Sequence, residues 1–181
     1  MNATDLSFFF ALYNLSGRSR VVDFLIIFFG EYFVYIVFAI FIYCYYKEFG
    51  LSFLKIKQHR YVMISLFFAI VFFEILKRWT MQLRPFIALN LPQHVLTDHS
   101  YAFPSGHTAV VFTLATATHF FNKKLAYFLY ASGLVIGLAR IAGGVHYPSD
   151  IAGGIILGIF IGFIVYKLWR GYFSHKAQVY D

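Results

Sequence analysis

The chain has 181 residues, of which 60% are hydrophobic and only 13% are charged, and its mean hydropathy is +0.69. Soluble globular domains carry about 25% charged residues, so this composition excludes an ordinary soluble domain and indicates a membrane protein. The formal net charge of +7 does not indicate nucleic acid as a partner, because the cations lie mostly at the ends of apolar segments and no RNA- or DNA-binding motif is present.

Six apolar segments in chain order predict the helices. Residues 4–15 are too few to cross a bilayer and begin with a helix cap at Thr4 or Asp5, which predicts a short helix in the membrane interface. Residues 21–46 and 61–79 predict the first two spans. A long polar interval follows, and residues 107–121, 125–141 and 150–169 predict three more. The segment 107–121 is short, which leaves open whether its span begins before His107.

The sequence therefore predicts an all-α fold, a polytopic membrane helical bundle with about five transmembrane helices plus the N-terminal interfacial helix, six helices in all. We expect a single domain over residues 1–181. The last segment carries Gly154, Gly158 and Gly162 at four-residue spacing. Such a stripe of small residues on one helix face predicts close packing against another helix.

Basic residues at the ends of the spans predict the orientation in the membrane. Nine of them lie after the first, third or fifth span, whereas the opposite ends carry six, three of which are assigned below to chemistry. Since cytoplasmic loops carry the excess of Lys and Arg, we expect the first group to be cytoplasmic and the long polar interval to be extracytoplasmic. The nine are Lys47, Lys55, Lys57, Arg60, Lys123, Lys124, Lys167, Arg170 and Lys176.

Two polar clusters flank this interval. In the first, Lys77 ends the second span, and Arg84 precedes Pro85, which biases Arg84 away from helical geometry and turns the chain. The second cluster is Pro-Ser-Gly-His at residues 104–107. Proline and serine can open a helix there, and the free N–H groups and dipole of a helix start suit a phosphate.

The third cluster is ARIAGGVHYPSD, residues 139–150. Arg140 ends one span, Pro148 is placed to begin the next, and Asp150 in its first turn can reach back towards His146. Alone, the three clusters have ordinary structural roles as interfacial cations, a helix cap and a turn. Their convergence on one face of the membrane indicates a functional site.

In this order and with these spacings, the motifs Lys-x6-Arg-Pro, Pro-Ser-Gly-His and Arg-x5-His-x3-Asp resemble the three signature motifs of the type-2 phosphatidic acid phosphatase superfamily. The resemblance covers residues 77–150 by motif and the remaining helices by layout. One position departs from the pattern: the third motif of the family usually begins Ser-Arg, whereas Ala139 precedes Arg140 here. A hydroxyl on the phosphate side is therefore expected to be missing.

The resemblance implies a role for each motif residue. His146 is the nucleophile that forms a phosphohistidine, Asp150 holds its other ring nitrogen, and His107 protonates the leaving oxygen and then helps to activate water. Histidine suits these roles because its ordinary pKa is about 6.5. The phosphoryl oxygens are bound by Lys77, Arg84, Ser105, the backbone N–H of Gly106 and Arg140. With three cations on the phosphate, we expect no metal and no cofactor.

A metal site was the alternative for the remaining histidines. His94, His99, His107, His119 and Asp98 offer ligands near one another, but no HExxH motif, paired carboxylate or cysteine set appears. Three of these residues, His94, Asp98 and His99, belong to the polar interval, where they either shape substrate access or are solvated.

Two acids lie within apolar segments. Glu74 precedes Lys77 by one helical turn and is expected to position it. Glu31 lies near the middle of the first span, where a charge is costly, so it is expected to face other helices, to be protonated or to be paired. The sequence assigns Glu31 no specific role.

A site at the membrane surface suits a substrate whose tail stays in the bilayer. The layout is similar to small bacterial undecaprenyl diphosphate phosphatases, which implies hydrolysis of undecaprenyl diphosphate at the extracytoplasmic side of a bacterial inner (cytoplasmic) membrane. Phosphatidylglycerophosphate, phosphatidic acid and lipid A phosphates stay open, because the motifs recognise phosphate and not the tail. An alternative of another class is a non-enzymatic protein that binds or transports a lipid headgroup. The sequence leaves the oligomeric state open.

Overall fold

The computed structural model describes residues 3–49, 56–92, 95–98 and 100–179, and these residues form helices and connecting segments without any strand. The second helix, α2, contains a π-helical turn. Apart from one short helix, the elements match the six predicted from the sequence, which confirms the all-α fold. They are α1 (Ala3–Tyr13), α2 (Arg20–Ile27, the π-helical turn Phe28–Tyr32 and Phe33–Phe49), α3 (Ile56–Thr80), α4 (Pro85–Ala88), α5 (Gly106–His119), α6 (Lys123–Ala142) and α7 (Pro148–Val179).

Three helices of the described part of the chain are long and apolar enough to cross a membrane, namely Arg20–Glu48 within α2, all of α6, and Pro148–Gly171 within α7. Helix α3 has 25 residues, which is also enough to cross a bilayer. Helix α5 has 14 residues, and nearly every side chain from Thr108 to Thr118 is buried by the other helices. It is therefore the central helix of the bundle.

Helix α5 is polar for a buried helix because it contains several threonines. Thr113, Thr116 and Thr118 each donate a hydrogen bond to the backbone carbonyl four residues earlier, at distances of 2.8, 2.8 and 2.7 Å. Their hydroxyl groups are thus satisfied within the helix, which lets them lie in an apolar interior.

The predicted glycine stripe of α7 is confirmed as a packing face against α5. A Cβ atom at Gly154 would lie 2.6 Å from the carbonyl oxygen of Ser105, and one at Gly158 would lie 2.6 Å from that of Ala109. The starts of the two helices also lie close together. The backbone N–H of Ser105, just before α5, donates to the carbonyl oxygen of Asp150 in the first turn of α7 at 3.0 Å. The packing therefore fixes the second motif relative to the third.

Substituting Gly158 by alanine should destabilise the bundle by about 1–3 kcal/mol, because the added methyl group forces α5 and α7 apart. Thermal unfolding in detergent measures the effect. Gly171→Ala is the matched control, since a Cβ atom at Gly171 would meet no atom within 4 Å. Equal unfolding temperatures for the two variants would contradict the close packing.

Helix α1 packs across one end of the bundle, which we call the site end. Phe9 and Tyr13 are buried against Ile141 and Tyr147. The carboxylate of Asp5 accepts hydrogen bonds at the start of α7, from the backbone N–H and the hydroxyl of Ser149, at 2.9 and 2.8 Å. The helix predicted at residues 4–15 is confirmed, and its location in the membrane interface stays a prediction.

Candidate active site

The three predicted clusters meet at the site end of the bundle. Lys77 lies in the last turn of α3, His107 in the first turn of α5, Arg140 in the last turn of α6 and Asp150 in the first turn of α7. Arg84 and His146 come from connecting segments. A cavity of about 370 Å³ has a polar wall that comprises Glu74, Lys77, Arg84, Asp98, Gly106, His107, Arg140 and His146.

The end of α6 sets the position of His146. The helix stops at Ala142, and Gly144 has a φ of 78°, a left-handed conformation that suits glycine and turns the chain back. After the turn, the backbone N–H of Val145 donates to the carbonyl oxygen of Arg140 at 3.2 Å. His146 therefore lies beside the last turn of the helix that carries Arg140, and its ring is almost fully buried, at 1% exposure.

The hydrogen bonds of His146 define its tautomer. Arg84 Nη1 lies 3.2 Å from Nε2 of His146, and a guanidinium group can only donate, so Nε2 carries the lone pair. The ring hydrogen is then on Nδ1, which lies 3.4 Å from Oδ2 of Asp150. Nε2 is thus the nitrogen that can attack a phosphorus atom.

The surroundings of His146 also keep it neutral. Burial, followed by the nearby cations Arg140, Arg84 and Lys77, lowers the pKa of His146 well below its usual value. Only the neutral imidazole has a lone pair for attack. The site therefore holds a histidine in the protonation state that a nucleophile requires.

Asp150 is fully buried, and two further groups fix its carboxylate. The backbone N–H of Tyr147 donates to Oδ2 at 2.8 Å, and Gln82 Nε2 donates to Oδ1 at 3.1 Å. Gln82 was not predicted from the sequence, because no motif or spacing distinguishes it from other polar residues of its segment. With these contacts the carboxylate can hold the Nδ1 hydrogen of His146 in one orientation.

Arg84 is held on all sides by the protein. It is 1% exposed, its Nε donates to the carbonyl oxygen of Ser100 at 2.8 Å, and its Nη1 donates to that of Val145 at 2.7 Å. Burial lowers the pKa of Arg84 to about 10, opposed by the charge of Asp98. The guanidinium group is therefore still charged at neutral pH.

Asp98 and Ser100 contact the three cations that are predicted to bind phosphate, and neither was assigned to the site from the sequence. Oδ2 of Asp98 pairs with Nη2 of Arg84 and lies 2.9 Å from Nη2 of Arg140. The hydroxyl of Ser100 accepts from Lys77 Nζ at 3.1 Å and from Arg84 Nη2 at 2.8 Å. Asp98 is therefore bound by the two arginines and is not simply solvated, whereas a role in shaping substrate access stays a prediction.

The ionisation of Asp98 follows from its neighbours. Burial would raise its pKa, but Arg84, the hydrogen bonds from Ser100 and the charge of Arg140 together lower it below the ordinary value. The carboxylate is therefore negatively charged at neutral pH, and it lies directly between the two arginines.

Arg140 connects the site to the π-helical turn of α2. Its Nη1 donates to the carbonyl oxygen of Gly30 at 3.1 Å and lies 3.4 Å from Oε2 of Glu31. Its Nε is buried and has no hydrogen-bond partner among the described residues. Such turns occur frequently at functional sites. Glu31, which had no assigned role, is therefore a partner of Arg140, and one N–H of Arg140 is buried without a partner in the described part of the chain.

Replacing Glu31 by alanine should raise KM for a lipid phosphate about threefold, because Arg140 loses one of the groups that orient it. The effect is small since the Glu31 side chain is 43% exposed. Glu31→Gln should restore most of the affinity, because an amide oxygen still accepts from Arg140. Tyr32→Phe, in the same turn and 58% exposed, is the control. Equal KM values for all three variants would contradict a positioning role.

The remaining predicted residues divide between the cavity wall and its surroundings. His107 is on the wall and makes no hydrogen bond with the described part of the protein, and Gly106 is beside it, where a Cβ atom would lie 3.2 Å from the ring of Phe73. Ser105 is fully buried, does not line the cavity, and accepts a hydrogen bond from Thr108 at 3.0 Å. The roles assigned to these residues stay predictions.

The expected pairing of Glu74 with Lys77 takes a different form. Glu74 lies on the cavity wall, but in the described structure Lys77 donates to Ser100 and its ammonium group lies 5.6 Å from the ring centroid of Phe73. The described structure contains no ion pair between Glu74 and Lys77. Glu74 contributes negative charge near Lys77 without holding it.

The alternative hypothesis, a metal site, requires several ligand side chains close together, and the described residues do not provide them. No cluster of three or more His, Cys, Asp or Glu side chains among them could hold a metal ion. His94 and His99, which were considered as ligands, lie outside the described residues.

Comparison with known proteins agrees with the motifs. Residues 58–173 match the model of the PAP2 superfamily. The chain is 29% identical to the undecaprenyl-diphosphatase BcrC of Bacillus subtilis (strain 168) over 96% of this chain and 90% of that protein. It also resembles the crystal structure of Aquifex aeolicus LpxE, with a TM-score of 0.74 and 28% identity over 92% of this chain and 96% of that one.

A second solved structure shares the fold at lower identity. It is the first transmembrane PAP2 type phosphatidylglycerolphosphate phosphatase from Bacillus subtilis, with a TM-score of 0.62 and 19% identity over 93% of this chain and 86% of that one. The family match spans all three motifs, from Lys77 to Asp150, and most of the bundle around them. The chain therefore belongs to the PAP2 superfamily and is a multi-pass membrane lipid phosphatase.

Proposed function

We propose that this phosphatase removes the terminal phosphate of a long-chain prenyl diphosphate, undecaprenyl diphosphate, through a phosphohistidine on His146. The reaction gives the lipid monophosphate and inorganic phosphate and needs no metal ion. We place the site at the extracytoplasmic side of a bacterial inner membrane, on the basis of the distribution of basic residues described above.

The observation that carries the proposal is the state of His146. Its ring is buried, and burial together with the nearby cations lowers its pKa. Its Nδ1 lies 3.4 Å from Asp150, and its Nε2 lies 3.2 Å from Arg84. His146 also lines the cavity, together with Lys77, Arg84 and Arg140. A protein that only bound a headgroup would need the cations, but it would not need a neutral nucleophile with a dedicated carboxylate. This difference favours an enzyme over the binding or transport alternative.

The proposed reaction has two steps. In the first, Nε2 of His146 attacks the terminal phosphorus, an N–P bond forms as the bond to the lipid phosphate oxygen breaks, and the imidazolium form of His107 gives its proton to that oxygen and becomes neutral. In the second, His107 takes a proton from water, the water oxygen attacks phosphorus, and the N–P bond breaks, returning its electron pair to Nε2. The cations stabilise the charge on the phosphoryl oxygens in both steps.

The cavity also supports a lipid substrate. Besides its polar wall it is lined by apolar side chains of α2 and α3, including Val34, Tyr35, Phe38 and Phe73. The first three recur at helical spacing on one face of α2, directly below Glu31. A substrate whose phosphate binds the cations could lay the start of its tail along this face.

The choice of lipid is supported by the relative named undecaprenyl-diphosphatase, whose similarity extends over nearly the whole chain. The structural neighbour named for phosphatidylglycerolphosphate keeps that lipid as a competing candidate. Phosphatidic acid and lipid A phosphates are the other candidates, since the polar wall provides contacts for any phosphate group.

Phosphate release from purified protein in detergent, with a chelator present, tests the proposal. We expect undecaprenyl diphosphate to give the highest kcat/KM among lipids that include phosphatidylglycerophosphate, phosphatidic acid and a lipid A phosphate. A requirement for added metal would contradict the mechanism, and a higher kcat/KM for another lipid would contradict the substrate. Binding of all the lipids without hydrolysis would favour the non-enzymatic alternative.

A further inference from the structure

We propose that Asp98 is an internal anion that occupies the phosphate position between Arg84 and Arg140 and must leave it when a phosphate binds. Asp98 thereby weakens the affinity of the site for phosphate and promotes release of the phosphate product. The inference rests on the proposed function, because it takes these two arginines as phosphate-binding groups.

The first argument is a count of donors on Arg84. A guanidinium group has five N–H donors, and all five are engaged. Nε donates to the Ser100 carbonyl, Nη1 to the Val145 carbonyl and to Nε2 of His146, and Nη2 to the Ser100 hydroxyl and to Asp98. Arg84 can therefore bind a phosphoryl oxygen only by giving up one of these contacts.

The second argument identifies the contact that is given up. Two acceptors of Arg84 are backbone carbonyls, and a third, the Ser100 hydroxyl, also holds Lys77. A fourth, Nε2 of His146, leaves Arg84 only when it attacks phosphorus, after the phosphate has bound. The Asp98 carboxylate differs because its side chain is 27% exposed and can move towards water, whereas the Arg84 side chain is fully buried. Asp98 is also the one partner shared by Arg84 and Arg140, so its departure frees a donor on each arginine at once.

The third argument is chemical similarity. One carboxylate oxygen of Asp98 accepts from two guanidinium groups, which is how a phosphoryl oxygen is bound between two arginines. Nε of Arg140 is buried without a partner in the described part of the chain. A tetrahedral phosphate has more oxygens than a carboxylate and can satisfy this donor as well.

The empty site needs such an anion. Lys77, Arg84 and Arg140 are all largely buried in one region, and uncompensated buried charges are strongly destabilising. Glu31 and Glu74 contribute negative charge near Arg140 and Lys77, and Asp98 supplies the carboxylate that pairs with both arginines when no phosphate is present. Its competition reduces the net affinity when a phosphate binds. The contrary view is that Asp98 orients the arginines for phosphate, and it predicts the opposite change in affinity when the carboxylate is neutralised.

Calorimetric binding of inorganic phosphate to the Asp98→Asn variant distinguishes the two. The measurement needs neither lipid nor turnover. A negative result here can therefore be told apart from a failure of the wild-type protein to hydrolyse lipid. We expect phosphate to bind about tenfold more tightly to Asp98→Asn than to wild type, and to inhibit hydrolysis correspondingly more. Unchanged or weaker binding would overturn the proposal.

Two additional measurements complete the test. The first is a control variant, Asp23→Asn, which removes the same charge near the start of α2, where Asp23 accepts a hydrogen bond from the backbone N–H of Gly17. This variant should leave the affinity for phosphate unchanged. An equal gain in both variants would mean a general charge effect and would also overturn the proposal. Because Asp98→Asn leaves cations unpaired, it should be less stable than wild type without phosphate and recover with it. Failure to fold even with phosphate would show that phosphate cannot take the place of the carboxylate.

Discussion

Replacing His146 by alanine should lower kcat by about 10⁴-fold or more, because the variant has no atom that can form the covalent intermediate. The three cations are retained in this variant and the cavity wall loses only the imidazole ring, so lipid binding should persist. Initial rates of phosphate release measure the loss. Quenching the wild-type protein with alkali during turnover of a terminally labelled substrate should trap labelled phosphoprotein, and the variant should give none.

The control for His146 is a second histidine distant from the site. His119 ends α5 at the opposite end of the helix from His107 and packs among the rings of Phe120, Tyr127 and Tyr130. His119→Ala should retain activity within about tenfold of wild type, the loss arising from packing alone. If His146→Ala formed labelled phosphoprotein, or kept activity close to that of His119→Ala, another residue would have to be the nucleophile.

The main residues of the site could be predicted because each motif lies at a helix end. Successive antiparallel spans alternate in direction, so the end of α3, the start of α5, the end of α6 and the start of α7 must share one face of the membrane. The positions of Lys77, His107, Arg140 and Asp150 follow from that alternation and from the lengths of the apolar segments. Their hydrogen bonds do not follow from it.

The contacts that the sequence missed come from irregular parts of the chain. Asp98 and Ser100 belong to a connecting segment whose path depends on tertiary contacts and has no periodic pattern. The π-helical turn Phe28–Tyr32 interrupts an unbroken apolar segment, and hydropathy does not reveal it. Only the fold shows that this turn directs the Gly30 carbonyl and Glu31 at Arg140.

Glu74 illustrates the limit of spacing arguments. A carboxylate three residues before Lys77 on a helix is close enough for a pair, and the sequence offered no competing partner. In the structure the hydroxyl of Ser100, distant in sequence, accepts from Lys77. Local spacing therefore placed both residues correctly on the cavity wall, whereas a tertiary contact decided which hydrogen bond forms.

Asp150→Asn should lower kcat by about 10²–10⁴-fold while leaving KM nearly unchanged, as expected when a carboxylate that orients a catalytic histidine becomes an amide. Asp150 does not line the cavity as described, and the cations that bind phosphate remain in place. The amide oxygen keeps the hydrogen bond from the Tyr147 N–H and can still accept from Nδ1 of His146. A neutral amide, however, cannot balance the positive charge that develops on the ring during attack.

Gln82→Leu separates this effect from a simple loss of hydrogen bonding. It removes the neutral donor to Oδ1 of Asp150 but keeps the carboxylate and its contact with His146. One neutral hydrogen bond contributes about 1 kcal/mol, so kcat should fall by about tenfold or less. If Asp150→Asn cost no more than Gln82→Leu, the charge of Asp150 would not matter to catalysis. A much larger loss in Asp150→Asn would mean that the carboxylate acts through its charge, by stabilising the positive charge that develops on the ring of His146 during attack.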